Sequence, residues 1–340
     1  MATTDSRLIL STDYELFFHR SGSVQKCVLE PGERLLEFTA RHGMKMTFFV
    51  DAGMLRRFDR HASDNRALAD DARAVREQLR RISAAGHEIG LHVHPHWEDT
   101  RLVDGHWDFS DTRYRLDRFG DDEVADIFES YFDLLQALSD APVVSYRAGG
   151  FCIEPFSRIA PHLERLGVTI DSSIVPGARL NDAAKGFDFS RIAEKSHWRF
   201  DDSPSRPAAG GRFTEVAITP LRVGRFFFWG RLIDRLSGGQ RGEQYGDGLS
   251  KALGKPEVLR RLAGQSRVSE LSMDDAKAPL LEHALAAAPA RRTWHVMGHP
   301  KLLSERSLEH LAAFVDKAGI ERTLSVAEYA ESMAGPSGPQ

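Results

Sequence analysis

Residues 86–97 read GHEIGLHVHPHW. Ile89 and Leu91 form a short apolar run, and three histidines, His92, His94 and His96, follow at alternate positions, with Pro95 barring a plain helix. The segment predicts a strand over 88–92 that delivers imidazoles at its C-terminal end. An amphipathic helix over Arg73 to Ala85, stopped by Gly86, precedes it.

The same helix-then-strand alternation extends in both directions. Strands are predicted at Leu8–Leu10, Met46–Val50, Val143–Tyr146, Val168–Ile170, Thr214–Thr219, Thr293–Met297 and Thr323–Val326. Helices are predicted at 33–42, with Pro31 at the entry and Gly43 as the stop, and at 122–138, 155–166 and 305–318. This pitch argues for βαβ units and a parallel sheet with outer helices, as in a parallel α/β barrel. In such barrels the chemistry sits at the C-terminal ends of the strands. Asp13 follows the first strand, the histidines end the third, Arg147 the fourth and Asp171 the fifth, and His299 follows Thr293–Met297.

Residues 1–335 read as a single catalytic domain, with 335–340 as a flexible tail. Residues 200–212, rich in Pro, Gly and Ser, read as a loop. Residues 225–270 read as an insertion that opens with RFFFWGRLIDRL, passes through GGQRGEQYGDG and ends in a basic helical stretch. Its aromatic and basic residues suit a lid over a site or a peripheral membrane contact.

The 340 residues are 41% hydrophobic and 28% charged with a net charge of −4, which leaves no basic footprint for nucleic acid. Two cysteines, Cys27 and Cys152, make no disulfide framework and fit a reducing compartment. Leu8–Leu10 is too short for the core of a signal peptide, and no run approaches the roughly 20 apolar residues of a membrane span. The expected location is therefore cytoplasmic.

Neutral imidazoles are common ligands of zinc and related ions, and a catalytic metal needs about three protein ligands. Two histidines therefore call for a carboxylate. In STDYELFF, Asp13 and Glu15 are two residues apart and face the same way in an extended segment. One could bind metal while the other takes a proton from water. His299, in VMGHPK, is placed to protonate a leaving amine. Arg147, in SYRAGGF, could orient a carboxylate, with Asp171 of IDSSIVPG as its partner. Each of these also has a plainer reading, as a turn cap, a loop histidine or a structural ion pair.

Taken in order, these motifs resemble the polysaccharide deacetylases, the NodB-homology or carbohydrate esterase family 4 group. STDYE stands where that group has an aspartate pair, MTFFV matches its second strand, and GHEIGLHVHPH matches its histidine motif. YRAGGF, DSSI and MGHPK follow as its arginine, aspartate and histidine motifs, and LSVAEYAE resembles its closing strand and helix. The resemblance covers about residues 7–330 outside the insertion and implies the NodB-type barrel. It implies His92 and His96 as metal ligands, Asp13 as general base, Arg147 with Asp171 tuning that base, and His299 as general acid. His94, Trp97, Tyr14 and Phe151 would line the substrate pocket. The sequence departs from the group at Tyr14, where the second aspartate is expected, and at Gly149, where proline is usual. Either Glu15 becomes the carboxylate ligand, or Asp13 binds metal directly and the base role moves. A D-x-E arrangement occurs in branches resembling enzymes of exopolysaccharide and lipopolysaccharide biosynthesis.

The implied reaction is metal-dependent removal of an N-acyl group, such as N-acetyl, from an amino sugar. The implied cofactor is a divalent ion, zinc first, then cobalt, nickel or manganese. A cytoplasmic enzyme would meet a sugar nucleotide, a lipid-linked sugar or a glycosylated small molecule. Two rivals stand beside it: a metal-independent, allantoinase-like hydrolase of cyclic amides on the same fold, and a catalytically inactive carbohydrate-binding homologue.

Overall fold

The computed structural model describes residues 6–225, 227–230, 244–250, 262–264 and 266–334. Nine strands form one sheet: β1 (Arg7–Tyr14), β2 (Thr47–Asp51), β3 (Glu88–Val93), β4 (Ser145–Ala148), β5 (Ile170–Asp171), β6 (His197–Phe200), β7 (Phe213–Val216), β8 (Thr293–Val296) and β9 (Arg322–Leu324). Their order is β6-β7-β5-β4-β3-β2-β1-β8, and β9 also pairs with β1. Every pairing is parallel except that of β6 with β7. β2, for example, is buried along its whole length, as strands covered on both faces must be.

The sheet curls, bringing the chain just beyond β7 to β8. Thr219, just beyond β7, donates its N–H to the His295 carbonyl on β8 (3.2 Å), and the His295 N–H returns to Thr219 Oγ1 (2.8 Å). The result is a distorted parallel half-barrel: the alternating pattern predicts its parallel strands, and the resemblance implies its barrel-like curl.

Local sequence explains the flanking helices. α1 (Glu30–His42) has Pro31 in its first turn and Gly43 in a left-handed C-cap at φ 62°. α2 (Ala52–Ala62) follows β2 without a break, and its Met54, Leu55 and Phe58 are buried. It was not anticipated, although that spacing carries the helical signal. α3 (Arg66–Ala84) starts well before residue 73 because Asn65 caps it, accepting the Leu68 N–H. The helix expected over 155–166 shrinks to Ala160–Arg165, with Pro161 in its first turn. Ser304 caps Glu305–Ala318, as a serine at that position should.

An antiparallel ribbon of Pro220–Val223 with Arg267–Glu270 brackets the stretch read as an insertion, so residues 267–270 belong to a strand. Phe227 and Phe228 are partly buried against the core. Trp229 is 45% exposed. Residues 231–243 and 251–261, which carry most of the Gly-rich and basic helical readings, lie outside the described residues, as does the 335–340 tail. No described helix is long and apolar enough to cross a membrane.

Candidate active site

The sheet register assembles the site. Asp51 pairs with His92 across β2 and β3, His92 with Arg147 across β3 and β4, and Asp171 with Glu215 across β5 and β7. On β1, alternation turns Ser11 and Asp13, and Glu15 just beyond, to one face and Tyr14 to the other.

Arg147 is fully buried at the centre. Its guanidinium donates to Asp13 Oδ1 (2.7 Å), Ser11 Oγ (2.9 Å), Ser172 Oγ (3.1 Å) and the Ser172 carbonyl (2.8 Å), and lies 4.1 Å from the centre of the Phe49 ring. Burial alone would raise the Asp13 carboxyl, but the guanidinium, helped by His92 and His299, holds it below the usual carboxylate range. Asp13 Oδ2 is left 3.8 Å from His92 Nε2 and 3.8 Å from His299 Nε2.

Glu15 Oε2 lies 3.3 Å from His92 Nε2 and 2.8 Å from His94 Nε2. These three residues are buried, and their donor atoms fall within 4.8 Å of one another. His92 Nδ1 lies 2.8 Å from the Arg147 carbonyl, a partner that makes Nδ1 the donor and leaves the Nε2 lone pair facing Glu15. Burial would raise the Glu15 carboxyl as well, but Lys301 and the two imidazoles hold it well below the ordinary value. Burial drives His94 down to about 4, so its ring is neutral at physiological pH.

The three histidines are therefore not equivalent. His92 and His94 share a strand face two residues apart. Pro95 then opens a turn of 3-10 helix over Pro95–Asp99, and His96 leaves the alternation. The structure thus brings His94, rather than His96, to Glu15. His96 stacks on Tyr114 (4.9 Å between ring centres, 17°), with both ring nitrogens buried and without a hydrogen-bond partner. His94 Nδ1 is likewise unpartnered.

His299 stands opposite. Asp274 accepts its backbone N–H at 2.7 Å and lies 3.0 Å from its Nδ1. Burial would depress this imidazole, but Asp274, backed by Asp13 and Glu15, holds it at about 9. His299 is positioned from β1 itself, because the Asp13 N–H donates to the Gly298 carbonyl at 2.9 Å.

Asp171 does not pair with Arg147. It accepts from Ser173 Oγ (2.7 Å) and lies beside Glu215, where burial raises the Asp171 carboxyl. Tyr14 and Trp97, expected at the substrate surface, are fully buried instead. Tyr14 donates its hydroxyl to Gln78 Oε1, and Trp97 donates Nε1–H to Asp51 Oδ2. Phe151 sits at φ 61° after the Gly149–Gly150 turn and lines a cavity of about 450 Å³ with Arg115, Phe187 and Phe189.

Four residues were missed. Lys301 bonds Glu15 Oε1 (2.8 Å) and the Leu16 carbonyl (2.6 Å) from a buried position. Asp274 holds His299, and His295 Nε2 lies 2.8 Å from Ser11 Oγ. Asp51 ends β2, and burial pushes its carboxyl up to about 8. The strand-end rule, applied to MTFFVD, would have found Asp51; His295 alternates within TWHVM.

A buried carboxylate oxygen facing two neutral-capable imidazoles is a donor set suited to a divalent cation.

No protein-family model and no curated protein matches this chain. Solved structures do. A protein from Mycobacterium smegmatis assigned as a polysaccharide deacetylase is 15% identical, with 98% of this chain and 92% of that chain covered and a TM-score of 0.53. A carbohydrate esterase family 4 pseudoenzyme from Bacillus anthracis is 11% identical over 95% of this chain and 64% of that one, with a TM-score of 0.42. A peptidoglycan N-acetylglucosamine deacetylase is 12% identical, covering 94% and 85%, with a TM-score of 0.37. The M. smegmatis match is the informative one: this chain has the curled parallel half-barrel of the NodB-type deacetylase fold.

Proposed function

We propose that this protein is a metal-dependent hydrolase that removes an N-acyl group, N-acetyl first, from an amino sugar. The carrying observation is the Glu15–His92–His94 cluster, with Asp13 and His299 on its border. Glu15 Oε2 and the Nε2 atoms of His92 and His94 would hold the ion. A divalent cation there supplies Lewis acidity, polarising an amide carbonyl and making water more acidic.

The chain's own residues do the rest. Asp13 is clamped through Oδ1 by Arg147, so Oδ2 is free to take a proton from the attacking water. His299 carries a proton at neutral pH, and its Nε2 delivers it to the departing amine. Asp274 holds the ring through Nδ1 and stabilises its charged form. Phe17, His92, His94 and His96 are buried and Phe18 is partly buried against the core, which keeps bulk water from that wall of the site. The products are a carboxylic acid and a free amine.

Zinc is the first choice of ion, followed by cobalt, nickel and manganese. For the substrate, a biosynthetic N-acetylated sugar (nucleotide-linked, lipid-linked or on a small molecule) fits the cytoplasmic expectation. Base, acid and ligand residues standing together favour a hydrolase over a carbohydrate-binding homologue.

Metal content tests this. Elemental analysis of the purified wild type should give about one ion per chain. His92→Ala and His94→Ala should lose it and His96→Ala should keep it. A wild type that takes up no metal after supplementation would sink the reading. Loss in His96→Ala alone would move the ligand role to His96.

A further inference from the structure

Glu15 has two oxygens, and they face different partners. Oε2 faces His92 and His94, whereas Oε1 receives the Lys301 ammonium at 2.8 Å. Lys301 comes from the turn after His299 and is 4% exposed, too buried for a surface ion pair. Its ammonium also donates to the Leu16 carbonyl (2.6 Å) and lies 5.0 Å from the centres of both the Phe17 and Phe18 rings. Phe18 in turn packs on His94 (4.4 Å) and His96 (4.6 Å). One ammonium therefore pins the carboxylate, the backbone behind it and the aromatic wall against the imidazoles.

We propose that Lys301 is a positioning residue that restricts Glu15 to a single donor oxygen, fixing Oε2 toward His92 and His94. The proposal rests on the metal reading above. A carboxylate holding an ion is commonly oriented by a hydrogen bond to its other oxygen, and loss of such a partner lowers metal affinity roughly 10- to 100-fold. Here the charge effect runs the opposite way. An ammonium close to a cation repels it, so if Lys301 acted only as a charge, removing it would tighten binding.

The test is zinc affinity, by competition with a chromophoric chelator, in wild type, Lys301→Met, Lys301→Gln and Lys301→Arg. Methionine removes charge and donors at similar length. Glutamine is one atom shorter, so it also releases Oε1 while keeping a polar end in case the methionine variant does not fold. Both should bind zinc roughly 10- to 100-fold more weakly, and arginine should restore most of the loss. In the cobalt-loaded protein, the freed Glu15 should add a second oxygen, so the visible absorption band should weaken in the Met and Gln variants and recover with Arg. Unchanged or tighter zinc binding with an unchanged cobalt band overturns the role of Lys301 and leaves the metal site standing. A wild type that binds neither zinc nor cobalt overturns the metal reading, and this proposal with it.

Discussion

Replacing Asp274 with asparagine removes one charge and little else. The side-chain amide keeps an oxygen for the His299 backbone N–H, now bonded at 2.7 Å, and nearly the same volume. What disappears is the main influence opposing burial at His299, whose imidazole is raised from 6.5 to about 9. That rise corresponds to about 3 kcal/mol of preference for the charged ring. Asp13 and Glu15 remain, but at 3.8 and 3.9 Å from Nε2 and engaged with Arg147 and Lys301. Burial then prevails, and the His299 midpoint falls to about 6.5 or lower. Histidine-detected NMR titration of the metal-free protein, assigned through His299→Gln, reads this directly.

Stability must move with it. A histidine whose folded pKa lies above its unfolded value stabilises the fold fully below the unfolded value, and that contribution is lost as pH rises through the folded one. Wild type should therefore exceed Asp274→Asn by up to about 3 kcal/mol near pH 6, with the gap narrowing from about 6.5 to 9 and closing by about pH 10. Urea unfolding in the presence of chelator measures it. With a turned-over substrate, the alkaline limb of kcat/KM should also shift down, because the acid form is lost earlier. A His299 that still titrates near 9 in the variant, or a stability gap independent of pH, would refute the assignment of Asp274 as its partner.

Two further outcomes follow from close packing and burial. A Cβ at Gly149 would stand 2.6 Å from His94 Nδ1 and 2.7 Å from the Val93 carbonyl, so Gly149→Ala must push the His94 ring. Zinc binding should weaken by roughly tenfold or more, and unchanged affinity in the same chelator competition would show that the turn does not set His94. Asp51 is held protonated up to about pH 8 by burial, while its unfolded value is near 3.8. The folded state thus binds the extra proton, and wild-type stability falls between those values. Asp51→Asn, which mimics the neutral form, should be more stable by up to about 6 kcal/mol above pH 8 in metal-free protein, with the two converging below about pH 4; equal stability at pH 9 would rule out a buried, protonated Asp51.

What could be read from the chain follows its local periodicities. Strand alternation put Asp13 and Glu15 on one face, and apolar runs bounded by glycine located the barrel strands. The same period of two also puts His92 and His94 together, whereas spacing by resemblance favoured His96; the 3-10 turn that starts at Pro95 takes His96 out of the alternation, which supports the proposal of His94. The partners of His299 and Glu15 obey no period. Asp274 reaches His299 across 25 residues, and Lys301 reaches Glu15 across 286. Each lies in a turn beside β8, where only the curled sheet brings distant parts of the sequence together. Asp171 shows the reverse case: a strand-end acid whose neighbour proves to be another acid, Glu215, through a parallel register invisible to local pattern.

The two carboxylates at the end of β1 share one construction, and the roles proposed for them rest on it. Asp13 gives Oδ1 to the Arg147 guanidinium, and Glu15 gives Oε1 to the Lys301 ammonium, both buried cations fixed at 2.7–2.8 Å. Each clamp offsets the cost of burying a carboxylate and leaves one oxygen facing imidazole. The difference lies in what that free oxygen meets. Glu15 Oε2 has His94 at 2.8 Å and His92 at 3.3 Å, the crowding of a ligand set. Asp13 Oδ2 stands off at 3.8 Å from His92 on one side and 3.8 Å from His299 on the other. That spacing is too long for direct hydrogen bonds. This geometry supports the proposed assignment of Glu15 to the ion and Asp13 to the proton, a choice that the strand alternation alone leaves open.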